Sequence, residues 1–84
     1  MTTTYTYHQD PGHGWIEVAK AELERLGLTD KISCYSYIKG STAYLEEDCD
    51  ASLWAQAKKA VGEDFATVAA HTNYDSFIRS LPRF

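Results

Sequence analysis

The sequence predicts an α+β domain in which an antiparallel sheet of four to five strands carries two helices packed on one face. Short runs of β-branched and aromatic residues alternate with two helical stripes, glycine-containing turns separate the runs, and a glycine follows each stripe. The chain has 84 residues, 44% of them hydrophobic, which is enough to bury one core and no more. Residues 1–84 are therefore predicted to form a single domain.

The first third of the chain is predicted to form a hairpin and a short helix. Residues 2–8 alternate β-branched and aromatic side chains, as strands do, and residues 10–14 break the strand with Pro and Gly. Residues 15–18 fit either a second strand or the start of a helix. We favour the strand, because the glycine-rich turn suits a hairpin and Ile16 lies off the helical stripe. The helix then covers residues 19–26 and ends at Gly27.

The rest of the chain is predicted to hold a second hairpin, a longer helix and a last strand. Residues 32–39 and 42–47 flank Gly40-Ser41, a two-residue loop that favours a type II′ turn. Asp50 is the predicted N-cap of a helix over residues 51–61. Residues 65–70 form the last strand, and residues 71–84 an irregular tail along the body. The predicted core consists of Leu23, Leu26, Ile38, Leu45, Leu53, Trp54, Val61 and Phe65.

The Gly40-Ser41 loop also determines which side chains share a face of the hairpin, since side chains alternate across a strand. One face is small and apolar and suits packing beneath the helices: Cys34, Ser36, Ile38, Ala43 and Leu45. The other carries tyrosines bordered by charge: Tyr35, Tyr37, Lys39, Thr42, Tyr44 and Glu46. Tyr5 and Tyr7 would extend this group if their strand lies nearby. Tyrosines are enriched in protein interfaces, although such rings also cover open sheet faces.

Four carboxylates stand beside the tyrosine face, at Glu46, Glu47, Asp48 and Asp50. They fit a solvated acidic rim, a divalent-cation site, or a surface that docks into a basic groove. A calcium loop of the Asp-x-Asp-x-Asp-Gly kind is missing, and capping already accounts for Asp50. The sequence therefore predicts no metal here.

No motif supplies a catalytic or cofactor site. Zinc-finger spacing is missing from the three histidines, His8, His13 and His71. Nothing in the sequence pairs a histidine with Cys34 or Cys49, and two cysteines are too few for the disulfide framework of a small secreted scaffold. The sequence predicts reduced thiols, no enzyme activity and no cofactor.

The net charge and the hydropathy disfavour two classes of binding partner, nucleic acids and membranes. A formal charge of −4 disfavours direct nucleic-acid binding, which depends on cationic side chains. No apolar run approaches the roughly 20 residues of a membrane span, so the protein is predicted to be soluble and cytoplasmic, with no membrane partner.

Two resemblances add to these predictions. Residues 14–28 (GWIEVAKAELERLGL), followed by Asp30-Lys31-Ile32 and a hairpin, resemble the swapped-hairpin DNA-binding module of the AbrB/MazE type over about residues 14–47. That resemblance implies a local β-α-β-β order. Residues 10–15 (DPGHGW), 35–37 (YSY), 44–50 (YLEEDCD), 71–73 (HTN) and 82–84 (PRF) resemble small uncharacterised proteins of bacterial phages and mobile elements. Small acidic domains of that origin often inhibit host machinery by binding, and anti-CRISPR proteins are one such class.

The predicted function is a non-catalytic acidic binding protein, an anti-CRISPR-like inhibitor of a host defence complex with a basic nucleic-acid-binding surface. Its carboxylates would imitate phosphate charge and its tyrosines would supply contact area. The predicted partner-binding residues are Tyr35, Tyr37, Tyr44, Glu46, Glu47, Asp48 and Asp50. The alternative is a small dimeric DNA-binding regulator or antitoxin of the swapped-hairpin type, and a homodimer stays open in either case.

Overall fold

A computed structural model describes residues 2–84 and contains a five-stranded sheet in the order β3-β4-β2-β1-β5. The strands are β1 (Thr3–Gln9), β2 (Gly14–Ala19), β3 (Tyr37–Lys39), β4 (Thr42–Glu46) and β5 (Phe65–His71). The helices are α1 (Lys20–Arg25) and α2 (Asp50–Ala60), and single 3-10 turns cover Thr29–Lys31 and Phe77–Ser80. The α+β prediction is confirmed, and residues 15–18 are strand. The sheet is antiparallel except for β1 and β5, which run parallel.

The hairpin at Gly40-Ser41 has the predicted register for its inner pairs. Gly40 adopts a φ of 59°, as the primed hairpin turns require, and Tyr37 pairs with Tyr44. The predicted pairing of Tyr35 with Glu46 is wrong, because β3 begins only at Tyr37. Residues 33–36 turn instead, with the Ser36 amide donating to the Ser33 carbonyl at 3.3 Å.

The main core lies between the helices and one sheet face. Its buried members are Ile16, Val18, Leu23, Leu28, Ala43, Leu45 and Trp54, with Leu26, Ile38, Leu53 and Phe65 partly buried around them. Val61 was predicted to belong to this core, but its side chain is 56% exposed because α2 ends at Ala60. Cys34 is likewise exposed, since its segment turns away before β3 begins. No helix within residues 2–84 is long and apolar enough to span a membrane.

Tyr5 and Tyr7 belong to the helix-facing side and do not extend the other tyrosine group. The register of β1 with β2 pairs Tyr7 with Ile16, a core residue. The Tyr5 ring packs edge-on against Trp54, with 4.8 Å between the ring centroids. These two tyrosines therefore help to position the helices.

A polar network is enclosed at this helix–sheet junction. Lys58 is only 2% exposed, and its ammonium donates to the Tyr5 hydroxyl at 2.8 Å, to Glu63 at 2.9 Å and to Glu22 at 3.2 Å. Glu22 also accepts a hydrogen bond from Trp54 Nε1 at 2.9 Å. Burial lowers the pKa of Lys58, but the hydrogen bonds to Tyr5, Glu63 and Glu22 outweigh it and raise the pKa above its ordinary value.

The opposite sheet face is covered by the C-terminal segment. Ile78, in the second 3-10 turn, is fully buried and packs with Trp15 and Tyr44. The Ile38 amide donates to the Pro82 carbonyl, and the Phe84 amide donates to the Ser36 carbonyl, each at 2.8 Å. The predicted tail along the body is confirmed, except that it contains a 3-10 turn and that His71 belongs to β5.

Candidate functional site

A cleft of about 400 Å³ opens where the β1–β2 turn, the ends of β3 and β4 and the C-terminal segment meet. Its walls combine aromatic rings, carboxylates, guanidiniums, one imidazole and one thiol. The lining residues are His13, Trp15, Tyr35, Tyr37, Glu46, Asp48, Cys49, Arg79 and Arg83. Segments from both ends of the chain therefore build this cleft.

Three aromatic residues line the cleft and differ in their exposure to solvent: Trp15, Tyr35 and Tyr37. Trp15 is 2% exposed, Tyr37 is half-buried and Tyr35 is 62% exposed. The Trp15 and Tyr37 rings meet edge-on at 6.2 Å between centroids, and the Arg83 guanidinium lies 5.6 Å from the Tyr37 ring. Within residues 2–84, Trp15 Nε1 is a buried donor without a hydrogen-bond partner.

Tyr44 does not belong to this exposed group. It lies on the face predicted for it, but it is buried against Ile78, and the Phe77 ring packs edge-on against it at 5.7 Å. Tyr44 is therefore not at the surface, and it is left out of the docking set proposed below. Ile78 and Phe77 of the C-terminal segment cover the Tyr44 ring, which would be exposed on the hairpin alone.

Asp10 fastens that segment to the β1–β2 turn. Its buried carboxylate accepts hydrogen bonds from Arg79, at 2.9 Å for Nη2, and from the amides of Gly12, His13 and Ser76 at 2.9–3.0 Å. The hydrogen bonds from Arg79 hold the pKa of Asp10 far below its ordinary value of 3.8, against the opposing effect of burial. Asp10 thereby sets the position of Arg79 in the cleft wall.

The depressed pKa of Asp10 predicts acid sensitivity. A carboxyl whose pKa is lowered by folding stabilises the protein above the pKa of the unfolded chain, and this contribution is lost as the pH falls below about 4. We expect the free energy of unfolding, measured by urea titration from pH 5 to pH 2, to fall more steeply in the wild type than in Asp10→Asn. Equal slopes would contradict the role given to Asp10.

The four predicted carboxylates have four different environments. Glu46 accepts hydrogen bonds from the amides of Asp48 and Cys49 at 3.0 and 3.1 Å, so it orders the loop before α2. Glu47 accepts a hydrogen bond from the Tyr7 hydroxyl at 2.7 Å, and burial together with this bond raises the pKa of Tyr7 to about 12. Asp48 is exposed at the rim of the cleft.

Asp50 is not the predicted N-cap, because Cys49 holds that position, and it is left out of the proposed docking set because it is buried. Its buried carboxylate accepts hydrogen bonds from the Ser33 amide at 3.1 Å, from the Ser33 hydroxyl at 2.7 Å and from the Ser36 hydroxyl. These bonds tie residues 33–36 to the start of α2, which explains why Tyr35 leaves the strand. The N-cap prediction fails because the hydrogen-bond partners of Asp50 lie 14 to 17 positions away in sequence.

The β2–β4 pairing brings His13 to the acidic pair. One ligand atom each of His13, Glu46 and Glu47 lies within 4.8 Å of the other two. Gly14 leaves room for the Tyr7 hydroxyl and Glu47 to meet beside it, because a Cβ there would collide with the hydroxyl and crowd the carboxylate. An imidazole and two carboxylates at this separation have the donor types of a divalent-cation site.

Sequence reasoning missed the contributions of Trp15, Arg79 and Arg83 to the site. Trp15 looked like a core residue of either a strand or a helix, and the tail carried no periodic pattern that would place its arginines. The free thiol of Cys49 is exposed and lines the cleft, whereas the exposed Cys34 does not. No protein-family model, curated protein or solved structure matches the chain.

Proposed function

We propose that the chain is a non-catalytic binding protein that docks its cleft against a basic surface of a partner protein. The partner we propose is a bacterial host defence complex whose basic surface holds nucleic acid, so that binding inhibits it. The presence of the exposed Tyr35 ring and the carboxylates of Glu46 and Asp48 in one cleft carries this proposal.

The chemistry of that cleft suits cationic side chains of a partner. Lysine and arginine side chains pack on the faces of tyrosine rings and form ion pairs with carboxylates beside them. The Arg79 guanidinium is already paired with Asp10, and Arg83 donates to the Cys34 carbonyl at 3.2 Å. Asp10 neutralises Arg79, whereas Arg83 keeps its charge because its acceptor is a neutral carbonyl. The carboxylates of Glu46, Glu47 and Asp48 outnumber that one charge, so the rim is net negative.

The proposed docking set is smaller than the predicted one. Tyr35, Tyr37, Glu46 and Asp48 line the cleft, and Glu47 adjoins it. Tyrosine at the centre of an interface contributes contact area, whereas a rim carboxylate mainly steers association. The most informative substitutions are at Tyr35 and Asp48, because both are exposed and hold few contacts within the fold.

The test compares Tyr35→Ala/Asp48→Lys with the control Tyr74→Ala/Asp30→Lys. Each variant removes one exposed tyrosine and reverses one exposed aspartate, but only the first pair lies in the cleft. The wild type and both variants are immobilised, incubated with bacterial lysate and analysed by quantitative mass spectrometry, and affinity is then measured on the purified partner. We expect the cleft variant to bind at least about tenfold more weakly and the control to bind like the wild type.

The salt dependence of association provides a second readout. We expect the association rate of the wild type to fall with ionic strength, and the cleft variant to show a weaker dependence. Equal capture by the cleft and control variants would refute the proposal. The alternative of a DNA-binding regulator stays a prediction. The β3–β4 hairpin pairs, through β4, with β2 of its own chain and is not exchanged with a second copy.

A further inference from the structure

We propose that His13, Glu46 and Glu47 form a binding site for one divalent transition-metal ion of the Zn²⁺ class. The site lies at the edge of the cleft and shares Glu46 and Glu47 with the proposed docking set, so with the ion bound the remaining carboxylate of that set is Asp48. Three observations support it: the spacing of the donors, the groups that orient them, and the charge that they leave uncompensated.

The donor spacing is close to that of a bound ion. Three donors held at about 2.0–2.2 Å from a tetrahedral Zn²⁺ stand about 3.4 Å apart. The ligand atoms of His13, Glu46 and Glu47 already lie within 4.8 Å of one another, so small side-chain rotations close the site. The backbone beneath them is fixed by the sheet, since the Glu47 amide donates to the Gly14 carbonyl at 3.1 Å.

Both carboxylates are oriented by other groups of the protein. The Tyr7 hydroxyl binds Glu47 Oε2 and leaves Oε1 free of protein hydrogen bonds among residues 2–84. The amides of Asp48 and Cys49 each bind one oxygen of Glu46, and a carboxylate oxygen has a second lone pair for a metal. Hydrogen bonds of this kind hold ligands in place in protein metal sites.

The two carboxylates also lack a compensating charge. Neither Glu46 nor Glu47 forms an ion pair in the described part of the chain, and the nearby Arg79 is paired with Asp10. A divalent cation would neutralise both. In the same cleft, the buried Trp15 side chain has a donor at Nε1 without a partner among residues 2–84, and its ring lies 6.0 Å from that of His13 between centroids.

The donor set favours Zn²⁺ over Mg²⁺ or Ca²⁺. Imidazole nitrogen suits zinc and its neighbours, whereas Mg²⁺ and Ca²⁺ prefer oxygen ligands alone. Three protein ligands leave one coordination position for water or for a group of a bound partner.

The test is calorimetric titration of the chelator-treated full chain with ZnCl₂. We expect one saturable site per chain in the wild type, and at least about tenfold weaker binding in His13→Ala and in Glu47→Gln. The control His71→Ala removes another exposed histidine, which lies outside the cluster, and should bind like the wild type. Cys49→Ser tests the nearby thiol and should also retain the site.

The outcomes distinguish the proposed site from binding at the Cys49 thiol and from the absence of a specific site. Tyr7→Phe, which removes only the hydroxyl that orients Glu47, should weaken Zn²⁺ binding by about 10- to 100-fold if the site is as described. The proposal is overturned if the wild type shows no saturable binding, if His13→Ala binds as the wild type does, or if only Cys49→Ser loses the ion. Partner docking is tested at Tyr35 and Asp48, so either proposal can fail without the other.

Discussion

Replacement of Lys58 by methionine is expected to lower the free energy of unfolding by about 3–5 kcal/mol. The ammonium is enclosed and donates to Tyr5, Glu22 and Glu63, so its removal leaves these part-buried acceptors without their enclosed donor. Only the more exposed Arg25 guanidinium then still pairs with the two glutamates. A chain of this length is expected to have only about 4–12 kcal/mol of stability in total. Lys58→Met should therefore lose a large share of the stability of the chain.

Urea unfolding followed by circular dichroism measures this loss. The matched control is Lys59→Met, which removes the exposed neighbouring ammonium and should change the stability by no more than about 0.5 kcal/mol. Adding Glu22→Gln to Lys58→Met should recover part of the loss, because it removes a part-buried charge that only the longer 3.3 Å pair with Arg25 then compensates. A loss below about 1 kcal/mol in Lys58→Met would mean that the network contributes little.

Replacement of Asp10 by alanine is expected to lower the free energy of unfolding by about 3 kcal/mol or more and to detach the C-terminal segment from the sheet. The substitution removes the acceptor of Arg79 and of the amides of Gly12, His13 and Ser76. Ile78 would then lose its contacts with Trp15, and the wall of the cleft would open.

Limited trypsin digestion detects the release. Cleavage after Arg79 and Arg83 should be faster in Asp10→Ala than in the control Asp64→Ala, which removes an exposed carboxylate outside the cleft. If both variants are cleaved at the wild-type rate, Asp10 does not hold the segment in place.

The features that the sequence predicts correctly come from local signals. Gly40-Ser41 determines the register between Tyr37 and Tyr44, and this register in turn places Ala43 and Leu45 under the helices. Gly27 follows α1 with a positive φ of 71°, as a C-terminal glycine should. Each of these features depends on residues adjacent in sequence, so a single sequence is sufficient.

The features that it misses depend on contacts between distant residues. Asp50 has the local signature of an N-cap, but its carboxylate accepts hydrogen bonds from Ser33 and Ser36. No periodic pattern in the sequence predicts such a bond. The tail has no regular pattern either, so neither the burial of Tyr44 nor the position of Arg79 follows from its residues. The cleft could therefore be predicted only in part, from Tyr35, Tyr37 and the acidic run.

Amide hydrogen exchange of the chain, alone and bound to the captured partner, tests the docking role of the cleft most directly. We expect slower exchange on binding in residues 12–15, 33–37 and 46–49, with no change in β5 at the far edge of the sheet. If exchange is unchanged in these three segments and slows only in β5, the interface lies at the β5 edge of the sheet and not at the cleft. That result would contradict the proposed function.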